Sequence, residues 1–142
     1  AEGPVVVGPT VTGLLDAATS VQDVFAALRA VSSSPTGSRP RAANDLLPER
    51  ALAGDARATR MLISSVYAPL HADPTLLETA DALVDSGGGI EAAARQLFVH
   101  ANTIRYRTRR IAEISGYDLA NARERYVVQT AIALGRMDGQ PE

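Results

Sequence analysis

Residues 90–111 read IEAAARQLFVHANTIRYRTRRI, and the spacing in this run points to two helices joined by a tight turn. Ile90, Ala93, Ala94 and Leu97 stand at i, i+3, i+4 and i+7, so the first eight residues predict a short amphipathic helix. The small side chains of Ala93 and Ala94 permit a close helix crossing, as a helix-turn-helix requires. Phe98-Val99-His100 predicts the turn, with Val99 facing back to the core. A second helix then begins at His100 or Ala101 and runs to about Ser115, with Ile104, Thr108, Ile111 and Ser115 on its inner side. Opposite them stand Ala101, Asn102, Arg105, Tyr106 and Arg109. That outward set suits a DNA major groove: Asn pairs two-pronged with adenine, Arg with guanine, and small or apolar groups touch the thymine methyl. The residue pattern leaves Tyr106 equally open to core or groove. Arg107 and Arg110 flank the face and fit phosphates better than bases. His100 reads as a cap or backbone-positioning group, because no carboxylate or nucleophile lies near it in sequence. Thr103 reads as a cap or a phosphate contact.

An Arg-rich helix face by itself is usually only solvated. Solvation does not explain why this one follows a short Ala-rich helix and a three-residue turn. Nor does it explain Asn102-Thr103, indifferent helix formers placed where base contact would occur. The charge distribution agrees. The 142-residue chain carries a net charge of -2, and all fourteen basic residues are Arg. Residues 43–91 hold three Arg against eight acids, whereas residues 92–125 hold seven Arg against three acids. The positive segment is the one bearing the two helices.

Composition excludes several other classes. Cysteine is absent, so disulfides, thiol catalysis and Cys-based zinc sites are excluded. His71 and His100 are the only histidines, far apart, and no metal or other cofactor is expected. Gly87-Gly88-Gly89 lacks the Lys and Ser/Thr of a phosphate loop and reads as a turn. No paired catalytic constellation appears, so an enzyme is not expected. No apolar run approaches the roughly 18 residues of a membrane span, and nothing resembles a signal peptide. With 46% hydrophobic residues but only 4% aromatic, the core must be aliphatic, which suits packed helices.

Outward from the decisive run, Val5-Val6-Val7 before Gly8-Pro9 predicts a short strand. Leu14, Ala18, Val21, Phe25 and Leu28 predict a helix over residues 14–30. One strand and one helix cannot close a core, and the start Ala1-Glu2-Gly3 lacks Met. Residues 1–31 therefore read as the remnant of an upstream domain, and 32–44, rich in Ser, Gly and Pro, as a linker. From residue 45 to 142 an all-α bundle of five or six helices is expected. Pro48 opens a short helix ending near Gly54, and Asp55 caps one that buries Thr59, Leu62, Ile63 and Val66. The next opens at Asp73-Pro74-Thr75 with Thr75 and Glu78 spaced as a capping box, and buries Leu76, Leu77, Ala80, Leu83 and Val84. The last starts at Asn121, with box spacing to Glu124, and buries Val127, Val128, Ala131 and Leu134.

Residues 97–119, LFVHANTIRYRTRRIAEISGYDL, resemble the C-terminal helix-turn-helix of the PucR/CdaR family of bacterial transcriptional regulators. The matching positions are Leu97, Phe98, His100, Asn102, Thr103, Tyr106, Arg107, Ile111, Ile114, Gly116, Asp118 and Leu119. Residues 76–88, LLETADALVDSGG, are similar to the family's lead-in helix, so the resemblance covers about residues 46–137. Residues 1–31 are similar to the end of the regulatory domain that often precedes it. Phe98 stands where a Gly is frequent in the wider helix-turn-helix class. The resemblance implies a cytoplasmic output domain that binds promoter DNA, acts as a homodimer or higher oligomer when full-length, and takes its signal from upstream. The rival reading is a protein-interaction module whose acidic helices, residues 43–91, contact a regulatory domain or RNA polymerase.

Overall fold

Helices carry almost all the regular structure in the computed structural model, which describes residues 3–33 and 39–139. The chain divides into two compact units, residues 1–59 and 60–142. The all-α class expected from the sequence is what the protein adopts.

In the first unit, strand β1 (Val6–Val7) lies parallel to β2 (Arg41–Ala42). Between them runs α1 (Leu14–Ala30), with the bounds its periodicity predicts. The apolar stripe that marks this helix is nevertheless not its buried edge. Leu14 is 94% and Phe25 58% exposed, while Asp23, Ala26, Ala27 and Ala30 are buried. Two things fix that phase. The small alanines let Ala43 and Leu46 reach Ala27, with Val6 and Val31 packed around them. Asp23 is also drawn inward by the fully buried Arg50 of α2 (Leu47–Leu52), whose Nη2 donates to Oδ1 at 2.6 Å. Arg50 completes its contacts with Asp55 at 2.9 Å and the Ala43 carbonyl at 3.3 Å. Burial pushes the Asp55 carboxyl up, but the Arg50 hydrogen bond and charge and the amides of Ala58 and Arg57 outweigh it and hold it below the usual range. The expectation that the strand and helix lack partners is thus corrected: residues 41–52 close their core. Arg41 and Ala42, read from composition as linker, pair with β1 instead. Residues 34–38 of that linker lie outside the described residues.

Helix α3 (Ala56–Leu62) crosses the division between units and widens into a π turn over Ile63–Tyr67 before α4 (Ala68–His71). Pro69 accounts for the widening, since its ring would clash with the carbonyl four residues back in a regular helix. Asp55 caps α3 as expected, accepting from the amides of Arg57 and Ala58. The buried line is Ala58, Leu62, Val66 and Leu70; Thr59 and Ile63 are only half-buried.

Helix α5 (Pro74–Asp85) follows. Its cap is Asp73, not a box from Thr75 to Glu78. The Asp73 carboxylate accepts from the Thr75 amide at 3.0 Å and hydroxyl at 2.7 Å, and Pro74 fills the first helical position. Leu76, Thr79, Ala80, Ala82 and Leu83 are buried, whereas Leu77 and Val84 are half-buried. The glycine run is a turn: Gly87 has φ 63° and Gly88 φ 88°, and a Cβ on Gly88 would sit 3.0 Å from the Leu119 carbonyl.

Helices α6 (Ile90–Gln96) and α7 (Ala101–Ser115) pack on each other and on α5. The last helix, α8 (Ala122–Asp138), crosses the π turn and α5. Asn121 caps α8 through the amides of Arg123 and Glu124, while Glu124 reaches the Asp118 amide instead of closing a box. Leu134 is half-buried; Val127, Val128, Thr130, Ala131, Ile132 and Gly135 form the inner edge. At Gly135 the Tyr67 ring lies so close that an added Cβ would stand 2.1 Å from it.

Two substitutions test this packing. Gly135→Ala is expected to lower stability by ~1–3 kcal/mol through overpacking against Tyr67, read as a reduced Tm. Asp23→Ala leaves Arg50 buried with half its charge compensation and is expected to cost ~3 kcal/mol, read by denaturant unfolding.

Candidate nucleic-acid interface

Helix α6 ends in a Schellman motif. The Val99 amide donates to the Ala94 carbonyl at 3.0 Å and the Phe98 amide to the Arg95 carbonyl at 3.3 Å. This geometry puts Phe98 in the left-handed region, with φ 55°. The chain then reverses through Val99, which is half-buried, into His100. Ala93 and Ala94 are buried where the two helices cross, so their small size lets α7 approach.

His100 is the N-cap of α7, its Nδ1 accepting from the Asn102 amide at 3.1 Å. That bond leaves the proton on Nε2, which points a donor away from the helix. No acid occupies the first turn, so the partial positive charge of the helix start is uncompensated. Ile104 and Ile111 are fully buried and Ser115 nearly so, with Thr108 half-buried, as the inner side requires. Their burial fixes the rotation of α7 about its axis.

That rotation exposes Asn102, Arg105, Tyr106 and Arg109 and leaves Ala101 and Thr103 half-exposed. Tyr106 is 65% exposed, which places it outside the core. Arg110 is exposed and paired with Glu113 one turn along. Arg107, expected to flank the face as a phosphate contact, also reaches α5. It is half-buried, and its Nη1 donates to the Thr79 hydroxyl of α5 at 3.2 Å. Its long stem spans the gap between α7 and α5, which helical spacing alone does not reveal.

The structure also joins residues the sequence pattern leaves separate. Arg105 donates to Asn102 Oδ1 at 2.9 Å and to Glu91 of α6 at 3.0 Å. Both side chains of the ion pair are at least half exposed, so it holds Arg105 only weakly, by ~0–1 kcal/mol. Glu91 has no signal in the sequence, since its partner lies on another helix. Phe98 had one, as a bulky residue at a turn where Gly is frequent.

Residues 76–134, from α5 almost to the end of α8, match the family described as PucR C-terminal helix-turn-helix domain. Uncharacterized proteins of Mycobacterium tuberculosis and Mycobacterium bovis are 46% identical over 139 residues, spanning 97% of this chain and 34% of theirs. The DNA-binding transcriptional activator AdeR of Bacillus subtilis is 30% identical over 63 residues, 44% of this chain and 15% of its own. The crystal structure of a regulator of polyketide synthase expression from Bifidobacterium adolescentis superposes with a TM-score of 0.87 at 37% identity, over 97% of this chain and 55% of that one. The chain thus spans about a third of the length of its mycobacterial relatives.

The helical phase of α7 is open to a direct check. Ile104→Asp or Ile111→Asp places a carboxylate at a fully buried position, with a desolvation cost of several kcal/mol. Each variant is expected to lose the circular-dichroism signal and cooperative melting of the helix-turn-helix, not merely any ligand binding. Wild-type melting in either variant would contradict this rotation of the helix.

Proposed function

We propose that the chain binds double-stranded promoter DNA sequence-specifically, as the output domain of a bacterial transcriptional regulator, a reading supported by the match of residues 76–134 to the PucR C-terminal helix-turn-helix domain. The observation that carries this reading is the capped, positively charged helix α7, whose buried edge of Ile104 and Ile111 turns Asn102, Arg105, Tyr106 and Arg109 outward together. In this reading Asn102 and Arg105 read base edges, Arg109 a neighbouring guanine, and Ala101 and Tyr106 supply apolar contact in the major groove. Asn102 and Arg105 are hydrogen-bonded to each other in the free protein, so the two groups proposed to read bases lie side by side on the exposed face. His100 Nε2, the Thr103 hydroxyl and Arg110 contact phosphates. Arg107 has a different part: its bond to Thr79 braces α7 against α5.

The Bacillus relative, a DNA-binding transcriptional activator, and the Bifidobacterium neighbour, a regulator of polyketide synthase expression, support the same class. No catalytic role is proposed. Among the described residues no helix is long and apolar enough to cross a membrane, and a cytoplasmic place follows from the DNA target. One helix-turn-helix reads only a few base pairs, and paired half-sites lie about 34 Å apart. A homodimer or higher oligomer of the full-length protein is therefore part of the proposal, with α7 left free for DNA.

Asn102→Ala is expected to weaken binding to a selected duplex by ~1–3 kcal/mol and to relax preference at one base pair, measured by fluorescence anisotropy on single-substitution duplexes. Equal losses on selected and random duplex would move Asn102 to the backbone. Arg110→Ala should lower the salt slope by about one unit on every sequence, whereas Arg107→Ala should chiefly lower Tm. A salt slope that falls with Arg107→Ala and not with Arg110→Ala would reverse these two roles.

A further inference from the structure

The structure assigns Phe98 to sequence recognition: its ring makes apolar contact with a thymine methyl beside the bases read by α7. The inference rests on the DNA-binding reading above and extends it to a residue outside the recognition helix.

The argument begins with what the fold needs at this position. Three other helix ends among the described residues use a left-handed residue, and each is glycine: Gly54 after α2, Gly87 after α5 and Gly116 after α7. The ends of α2 and α5 have the same Schellman bonds as α6. The Asp55 amide reaches the Arg50 carbonyl at 3.0 Å and the Gly88 amide reaches the Leu83 carbonyl at 2.7 Å. Glycine adopts this conformation without steric penalty, whereas a bulky aromatic does not. Phe98 is the one non-glycine residue with positive φ among the described residues. Its side chain returns nothing to the core, being 96% exposed. A left-handed backbone bearing a wholly solvated aromatic ring gains no core packing in return, and backbone strain of this kind clusters at sites of function.

The surroundings identify the partner. Phe98 lines one open groove together with Ala101 and Arg105, two members of the outward face of α7. Arg95 lines it as well, and the acid there, Glu91, is already paired with Arg105. An aromatic ring among guanidinium groups, next to the N-terminus of a helix, suits a polyanion that also presents apolar groups. In the major groove that group is the thymine C5-methyl. An apolar protein surface, a second copy of this chain included, would set apolar groups against the Arg95 guanidinium.

The test uses a duplex selected by the wild-type protein from a random pool, with each thymine replaced in turn by deoxyuridine, which removes only the methyl. The wild type is expected to lose affinity about fourfold at one thymine, the value of one buried carbon. Phe98→Gly and Phe98→Ala should bind the parent duplex several-fold more weakly and be indifferent to that replacement. Phe98→Gly should melt no lower than the wild type, since it removes backbone strain, so its weaker binding would not come from unfolding. Unchanged affinity in both variants would overturn the inference. So would a loss of affinity that persists equally on the deoxyuridine duplex, or a site at which no thymine methyl matters. Weaker self-association in sedimentation with unchanged DNA affinity would give the ring to a second copy instead. A wild-type protein that binds no duplex would overturn the DNA-binding reading itself, and this one with it.

Discussion

The burial of Ile104 and Ile111 along one edge of α7 is the constraint on which the rest of the helix-turn-helix depends. Both isoleucines are fully buried, and the buried Ala93 and Ala94 of α6, which packs on α7, are small enough for the helix axes to come close. A helix held along one edge has its rotation fixed, and the opposite edge is then fixed as well. Asn102, Arg105, Tyr106 and Arg109 face solvent for that reason. The polar side chains add little to the position of α7; they inherit it.

Turns set the second constraint. Each helix of the recognition unit begins or ends in a group that satisfies its free backbone atoms: Asp73 before α5, the Schellman bonds after α5 and α6, His100 before α7, Gly116 after it, and Asn121 before α8. Caps of this kind let short helices such as the seven residues of α6 persist, because tertiary packing alone leaves their ends unsatisfied. At α7 the cap also chooses chemistry. A histidine that accepts at Nδ1 must carry its proton on Nε2, so the group that starts the helix also offers a donor to an anion.

In residues 1–59 the organising contact is ionic. Arg50 is fully buried and meets Asp23, Asp55 and the Ala43 carbonyl at once. A buried ion pair gains little or nothing over a well-packed apolar replacement, yet losing one partner is severe, so the pairing of Asp23 with Arg50 favours the face of α1 that turns inward. The outcome is a helix with alanines inside and Leu14, Leu15 and Phe25 outside. A 3.6-residue period alone would choose the opposite face.

What the sequence by itself determined is the set of local features: the bounds of α1 and α7, the capping roles of His100, Asp55 and Asn121, the glycine turn, and the inner edge of α7. These depend on spacing, capping chemistry and backbone preference within a few residues, and such information lies along the chain. The tertiary structure alone decided whatever depends on a partner distant in sequence. Arg107 reaches Thr79, 28 residues away. Arg50 reaches back to Asp23, 27 residues away, and rotates α1 against its own apolar stripe. Tyr106, ambiguous by spacing, is exposed because the core beside it is already filled by Ile104 and Ile111. Phe98 lay between the two cases. Its residue type was visible at a turn, but the left-handed backbone and the full exposure of its ring come from how α6 and α7 meet. A long side chain chooses between solvent and a neighbouring helix by desolvation and hydrogen bonding, and both are properties of what stands opposite it.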